Sequence, residues 1–524
     1  MSKGFRITYS ALSADLTELH KEFDAALANL KSSLGYSIPS IVNGKKVESG
    51  KVNKKTSPTN TSLLIANYHV ASEADLNEAF TAAKRAQKIW GATPWTERVA
   101  ITKKAADIMR ERRMRIAALM VLEVGKNRME SLGDAEEAAD LLAYYADQME
   151  QANGYIQPLA KLSPNENTKD VLRPYGVFSV IAPFNFPMAL GAGMTSAALL
   201  GGNSVILKPS DDAPGTAYEI YLAYRDAGLP EGVLQVVFGN GPALGEWMVK
   251  HPMCDGVAFT GSKMVGMSII RTLNSGLYAK PALVELGGKN AAFVCESADL
   301  EKAANGCVRS AFGLSGQKCS ALSRLYVHEK IYPEFVEKLL AAARKLVSVG
   351  DPANQEIYMG PVINQRAVER HLTAISEARA IGKILWGGTD LREKSEFKAG
   401  HFADPTIAEL PSTSRHFKDE FFSPFLAVTK FSSLPDAITD ANKAEYGLTS
   451  GIFTAKKEEI DLFMDSIEAG VLYANRATGA TTGAWPGVQS FCGWKGSGGG
   501  SGKGGCGPYY VMQFMREQSR TIME

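Results

Sequence analysis

The chain has 524 residues, 45% hydrophobic and 22% charged, with a formal net charge of +1. That composition belongs to a globular protein of two or three domains and excludes global disorder, and the balanced charge removes any electrostatic case for a nucleic-acid or anionic-membrane partner. The six cysteines form no CxxC pair and the seven histidines no HExxH, so neither a disulfide scaffold nor a bound metal is expected.

The first residues, "MSKGFRITYSALSADL", lack the apolar core of a secretory signal, and the chain is expected in a reducing, cytoplasmic compartment. Residues 74 to 152 carry helical periodicity. "SEADLNEAFTAAKRAQKIW" opens on a serine cap, and the pattern continues through "RVAITKKAADIMRERRMRIAALMVLEVGKN" and "ESLGDAEEAADLLAYYADQME". From about residue 171, short apolar runs alternate with helical stretches: "VFSVIA", "SVILKPS", "LQVVFG", "GVAFTGS", "ALVEL" and "AAFVC". This alternation predicts an α/β fold with a parallel sheet and crossover helices. The uncharged stretch 177 to 207 is long enough to span a bilayer. Pro183, Asn185, Pro187 and Gly201-Gly202 interrupt it, so a strand, loop, helix and strand of a buried α/β core is expected, with no membrane partner.

Candidate chemistry lies at the ends of these runs. Asn185 in "APFNFP" follows a strand and could donate to a developing oxyanion. Lys208 ends "SVILK", where a parallel strand faces the dinucleotide crevice. "GNGPALG" (Gly239, Gly241, Gly245) departs from the standard dinucleotide fingerprint, and "FTGS" (259 to 262) precedes a helix whose backbone could meet a phosphate. Glu285 in "LVELGGKN" precedes flexible glycines, which suits a general base. Cys319 sits in "GLSGQKCSALSR" among small residues rather than in an apolar run, and a thiolate both attacks a carbonyl and leaves well. Taken singly, each is commonplace as an ordinary turn or strand-end residue. A second alternating region follows, with strand "SRLYVHEK" and helix "YPEFVEKLLAAARKL". "GWKGSGGGSGKGGCG" (493 to 507) reads as a flexible low-complexity loop and fails the P-loop pattern at both ends; "YYVMQFMREQSRTIM" reads as a strand.

In this order, "PFNFP", "ILKPS", "GNGPALG", "FTGS", "ELGGK", "GQKC", "DEFFSP" and "FCGWKGSG" resemble the aldehyde dehydrogenase superfamily over residues 38 to 524. The resemblance implies a doubly wound NAD-binding domain (1–150 and 170–283), a catalytic α/β domain (284–490), and oligomerisation elements (151–169 and 491–524) that join a dimer or larger homo-oligomer. It implies Cys319 as nucleophile, Glu285 as base for the deacylating water, and Asn185 with the Cys319 N–H as oxyanion donors. Cofactor contacts are expected from Ile181, Ala182, Pro183, Phe184, Lys208, Ser210, Asp211, Gly241, Gly245, Phe259, Gly261 and Ser262, with Glu420 and Phe422 on the nicotinamide ribose. Asp211, three residues after Lys208, disfavours a 2′-phosphate, so NAD is expected over NADP, with NADP possible.

Within the superfamily, "EVGKN", "GQKCSALSR", "TGAWPGVQSF" and the charged helical N-terminal segment look most like the Δ1-pyrroline-5-carboxylate dehydrogenases, which oxidise L-glutamate γ-semialdehyde to L-glutamate in proline catabolism. That likeness assigns Gly483, Ala484, Ser320, Phe491 and Glu137 to the substrate. With 524 residues, an attached proline dehydrogenase domain is not expected. The loop "NRATGATTGAWPG" is longer than the family's, Trp485-Pro486 replaces small apolar residues, and Cys492 stands where the family has glycine. A dehydrogenase for another aliphatic or aromatic aldehyde therefore stays open. A catalytically silent protein on this fold would have lost Cys319 or Glu285, and a CoA-acylating dehydrogenase would lack Glu285.

Overall fold

Alternating side chains split each of two main sheets into two apolar faces, and helices cover both. In the strand Asn290–Val294, Ala292 and Val294 enter one buried cluster while Ala291 and Phe293 enter another on the opposite face. Val257 and Phe259 likewise point away from Ala258 in Gly256–Thr260. Two-sided burial explains why these strands read as continuous apolar runs. The computed structural model describes residues 16–48, 50–477, 484–499 and 503–524.

The larger sheet has eight strands in the order 498–499, 282–285, 256–260, 177–181, 204–208, 234–236, 40–42 and 45–47. Its five central members are parallel. By chain order, Val177–Ile181 is followed outward on one side by 204–208 and 234–236, and on the other by 256–260 and 282–285. The chain thus reverses direction across the sheet between 177–181 and 256–260, and the crevice at the carboxyl ends of these two strands is where a doubly wound sheet takes its ligand. The second sheet has seven strands in the order 383–386, 406–409, 425–431, 322–328, 290–294, 449–453 and 471–474, all parallel except the first pair.

The helical region divides into Glu73–Trp90, Trp95–Glu111, Arg113–Val124 and Arg128–Gln151. Ser72 caps the first through a reciprocal capping box with Asp75. The uncharged stretch resolves into Val177–Ile181, the helix Ala189–Leu200 and Ser204–Lys208, as expected. Among the described residues no helix is long and apolar enough to cross a membrane.

Two expectations at the C-terminal end need correction. The segment 494–499, read as a flexible loop, contains the strands Trp494–Lys495 and Gly498–Gly499. Gly498 pairs antiparallel with Glu285 and Gly499 with Val284. Glycine has no intrinsic strand preference, which hides the element, yet a Cβ on Gly499 would come within 2.9 Å of the Val284 side chain, so the edge needs a residue without one. The terminal strand begins only at Met515, after a 3₁₀ turn Val511–Phe514. It pairs along Glu166–Pro174, which in turn pairs with Ile156–Pro158.

Candidate active site

The helix Leu300–Phe312 ends in a tight turn, Gly313–Gly316, in which Leu314 and Ser315 take φ of 49° and 55°. Non-glycine residues adopt this left-handed region only when their surroundings impose it. Here the Leu314 N–H donates to Glu130 Oε2 (3.0 Å) and the Ser315 hydroxyl to the Gly360 carbonyl (2.8 Å). Gln317 Oε1 accepts from the Ile363 N–H (2.9 Å), and Lys318 Nζ pairs with Glu130 Oε1 at 2.5 Å. Asn290 Nδ2 then donates to the carbonyls of both Cys319 (2.7 Å) and Ala321 (2.8 Å). The turn carrying Cys319 is thereby fixed by the side chains of Glu130 and Asn290 and by backbone groups of Gly360 and Ile363, and Cys319, partly exposed, lines a pocket. Burial, reinforced by the carboxylates of Glu420 and Glu285, holds that thiol above its ordinary pKa; the N–H groups of Ser320 and Cys319 work the other way.

Glu285 ends the strand Ala282–Glu285 and lines the same pocket. Its Oε2 is buried without a hydrogen-bond partner, and burial pushes its pKa up to about 8. A carboxyl with one oxygen buried and unpartnered, tuned towards neutrality, is the form a general base takes. Glu137, Ser320, Ala484 and Phe491 join Cys319 and Glu285 on the pocket wall, among the apolar side chains of Leu141, Tyr145, Leu190, Met194 and Tyr510. Gly483 lies outside the described residues.

Asn185 does not line this pocket, though its neighbour Phe186 does. It is buried, and its Nδ2 donates to the Gln317 carbonyl at 3.0 Å, two residues before the thiol. One of its two amide hydrogens is therefore engaged with the nucleophile turn.

The expected cofactor residues gather at the carboxyl ends of the central strands. Ile181 to Phe184 leave the strand 177–181, the Ala182 N–H donates to the Lys208 carbonyl (3.0 Å), and Phe259 is buried at the end of the next strand. Lys208 is buried, with Nζ on the Pro209 carbonyl (2.9 Å), and burial lowers its pKa. Burial raises the Asp211 carboxyl, while Ser210 Oγ accepts from the Asp212 N–H. Gly261 donates to the Glu285 carbonyl, and Ser262 caps the helix Lys263–Leu273. Gly241 and Gly245 bound a short π turn, and no atom lies within 4 Å of where a Cβ on either would stand. Across the crevice, Phe422 meets Phe184 edge-on at 5.9 Å, and Glu420 Oε1 accepts from the Gly288 N–H (2.9 Å). Burial raises the Glu420 pKa to about 7.

With this geometry established, comparison with known proteins decides the family. The profile of the aldehyde dehydrogenase family matches residues 46–519. The chain belongs to the aldehyde dehydrogenase family. It is 36% identical to a 1-pyrroline-5-carboxylate dehydrogenase of Oceanobacillus iheyensis over 510 residues, 96% of each chain. It superposes with a TM-score of 0.92, at 32% identity and over 100% of both chains, on a crystal structure of 1-pyrroline-5-carboxylate dehydrogenase from Thermus with bound NAD. It also superposes on proline utilization A from Bdellovibrio bacteriovorus with a TM-score of 0.90 at 35% identity, covering 97% of this chain and 52% of that one.

Several groups of this aldehyde dehydrogenase's site carry no motif of their own. Glu130 and Asn290, which brace the cysteine turn, read in the sequence as an ordinary helix glutamate and a strand asparagine. Cys506, near the end of the glycine-rich stretch, and Tyr510, just after it, line the pocket, and Cys506 Sγ lies 4.0 Å from Glu137 Oε1. Trp485, the departure from the family loop, is buried and donates its indole N–H to Asp140 (2.9 Å). Cys492 points its thiol at the Gly470 carbonyl, 3.1 Å away.

Proposed function

We propose that this aldehyde dehydrogenase oxidises L-glutamate γ-semialdehyde to L-glutamate with NAD, as the names of its relatives suggest. The observation that carries the catalytic part is one pocket lined by both a cysteine, Cys319, and a glutamate, Glu285, whose Oε2 is buried without a hydrogen-bond partner. The eight-stranded sheet serves the cofactor and also brings in Glu285 and Asn185, while the chain leading into the seven-stranded sheet brings in Cys319. The open backbone at Gly241 and Gly245 and the aromatic pair Phe184–Phe422 fit a dinucleotide laid across the switch point. NAD, when bound, supplies the hydride acceptor.

The Cys319 thiol passes its proton to solvent water, the thiolate attacks the aldehyde carbon, and the side-chain amide of Asn185 with the Cys319 N–H receives the charge on oxygen. Loss of hydride leaves a thioester on Cys319. Glu285 takes a proton from water, which hydrolyses that thioester and releases the carboxylate product. Glu137 is suited to the substrate ammonium, and the N–H groups of Gly483 and Ala484 with the Ser320 hydroxyl to its α-carboxylate; Phe491 packs on the chain. Lys208 and Ser262 hold the adenosine side of the cofactor, and Asp211 disfavours a 2′-phosphate, which favours NAD while leaving slow use of NADP. The sheet 156–158, 166–174 and 515–523, whose last strand is exposed beyond Met515, supports self-assembly into a dimer or larger homo-oligomer.

The apolar wall of Leu141, Tyr145, Leu190, Met194 and Tyr510 favours a second reading, a dehydrogenase for an uncharged aliphatic or aromatic aldehyde. NADH release with glutamate semialdehyde against a panel of simple aldehydes separates the two. A higher kcat/KM for glutamate semialdehyde is expected; preference for an uncharged aldehyde would transfer the assignment to the second reading.

A further inference from the structure

Between the helices Arg113–Val124 and Arg128–Gln151 the chain turns through Gly125, at φ 80°, and places Lys126 entirely out of solvent. Its ammonium makes two hydrogen bonds, to Asp134 Oδ2 at 2.9 Å and to the backbone carbonyl of Asn185 at 2.8 Å, and it stands 3.9 Å from the centroid of the Phe186 ring. Asp134, equally buried, spends its other oxygen on the Ala189 N–H at 2.7 Å. Pro187 contributes no N–H to this segment, so the loop 185–189 is held at its two ends by one lysine–aspartate pair.

A wholly buried ion pair is a poor way to gain stability, since apolar side chains of similar volume usually do as well or better. What this pair does have is direction: both charged groups are spent on the backbone of the loop that carries Asn185. The loop is in turn tied to the nucleophile turn through the Asn185 side chain on the Gln317 carbonyl. Lys318 also approaches the Phe186 ring, 6.0 Å from its centroid, and is paired with Glu130 of the same helix that carries Asp134. Two buried lysines thus approach the Phe186 ring, one bound to the Asn185 loop and the other adjacent to Cys319.

We propose that Lys126, with Asp134, is a positioning residue for the oxidation half-reaction: it holds the Asn185 amide at the place where negative charge develops above Cys319. This rests on the reading of Asn185 as oxyanion donor. Lys126 touches neither substrate nor cofactor in this account; it acts through the backbone carbonyl of Asn185. A displacement of the donor on the order of 1 Å costs a rate factor of about 10² in a preorganised site.

The test is a stopped-flow measurement of the first-turnover NADH burst, using glutamate semialdehyde and the full-length enzyme. Lys126→Met removes charge and donor. Lys126→Met/Asp134→Asn does the same without stranding a carboxylate and keeps an acceptor for the Ala189 N–H. The burst rate constant should fall 10- to 100-fold in both, while the burst amplitude per folded site and the affinity for NAD stay within twofold of wild type. Adding Asn185→Ala to Lys126→Met should slow the burst little beyond Asn185→Ala alone, because the two act as one unit. A purely structural lysine would lower the amplitude and the melting temperature and leave the rate constant of the surviving sites untouched, which overturns the proposal. A wild-type burst rate in Asn185→Ala overturns the oxyanion reading and this inference with it. A slow Asn185→Ala beside fast lysine variants overturns this inference alone.

Discussion

Replacing Glu285 with glutamine removes a base while leaving the shape of the pocket nearly intact, and the structure gives the size of the effect. The carboxyl lies against the pocket with Oε2 unpaired, and burial moves its pKa from 4.5 to about 8. At pH 7 about one site in ten then carries the ionised base, a tenfold deficit per unit of pKa above the working pH. Deacylation in the wild type should therefore climb about tenfold per pH unit below pH 8 and level off above it. In Glu285→Gln that limb should vanish and steady-state turnover drop by about 10²–10⁴. The initial burst of NADH should keep its amplitude and not slow, because the Glu285 carboxylate is one of the groups that raise the Cys319 pKa. Stability supplies a second readout. A carboxyl whose folded pKa lies above its unfolded value costs stability as pH rises from 4.5 towards 8, so Glu285→Gln should gain on wild type between pH 5 and pH 8, by at most about 5 kcal/mol. Rapid mixing across pH 6 to 9, with thermal melts at the same values, makes both measurements. Equal loss of burst and steady state would refute the assignment and move Glu285 to thiol activation.

Cys319→Ala should abolish aldehyde oxidation and leave NAD affinity near wild type by calorimetry, because the Lys208 end of the cofactor crevice lies on a different sheet; retention of more than a few per cent of turnover would remove the nucleophile assignment. Ala484→Pro deletes a backbone N–H on the pocket wall and should raise KM for glutamate semialdehyde about tenfold or more, the worth of a lost charge-assisted hydrogen bond of about 1.5–3 kcal/mol, with a much smaller effect on an uncharged aldehyde of similar length. Equal effects on both would make that loop structural. Away from the site, Ser72→Ala breaks the capping box of the helix Glu73–Trp90 and should cost about 1 kcal/mol by denaturant unfolding, with activity unchanged.

Strand runs such as "SVILK" and "AAFVC" announce themselves because burial on both faces forces a continuous apolar code. Glu285 and Asn185 were legible because each lies two residues from a glycine or proline at the end of such a run, and Cys319 because it stands among small residues outside any apolar run. The scaffolding of the site was not. Asn290 and Glu130 act across 29 and 188 residues respectively, on the Cys319 carbonyl and on Lys318, and nothing local marks an asparagine or glutamate that will end up there. Gly498–Gly499 was missed for a different reason: a strand chosen for the side chains it lacks leaves no alternating pattern to read. The onset of the last strand was placed too early because alternation in "YYVMQF" is shared by a buried 3₁₀ turn, where Val511 and Phe514 fall on one side.

The pocket's far wall has a temporal meaning. Ala484, Phe491, Gly505, Cys506 and Tyr510 all come from the last stretch of the chain, and the Tyr145 hydroxyl reaches across 361 residues to accept from the Cys506 N–H at 3.1 Å. Contacts so distant in sequence form late, since the entropy of closing such a loop is lost before they return anything. During synthesis the seven-stranded sheet and the five parallel strands of the larger one can therefore assemble while Cys319 still faces an unfinished cavity, and the edge strand Gly498–Gly499 joins later. The thiol gains a walled chamber only when the final segment leaves the ribosome and docks, so a nascent or prematurely terminated chain holds its nucleophile without the enclosure that would let it select an aldehyde.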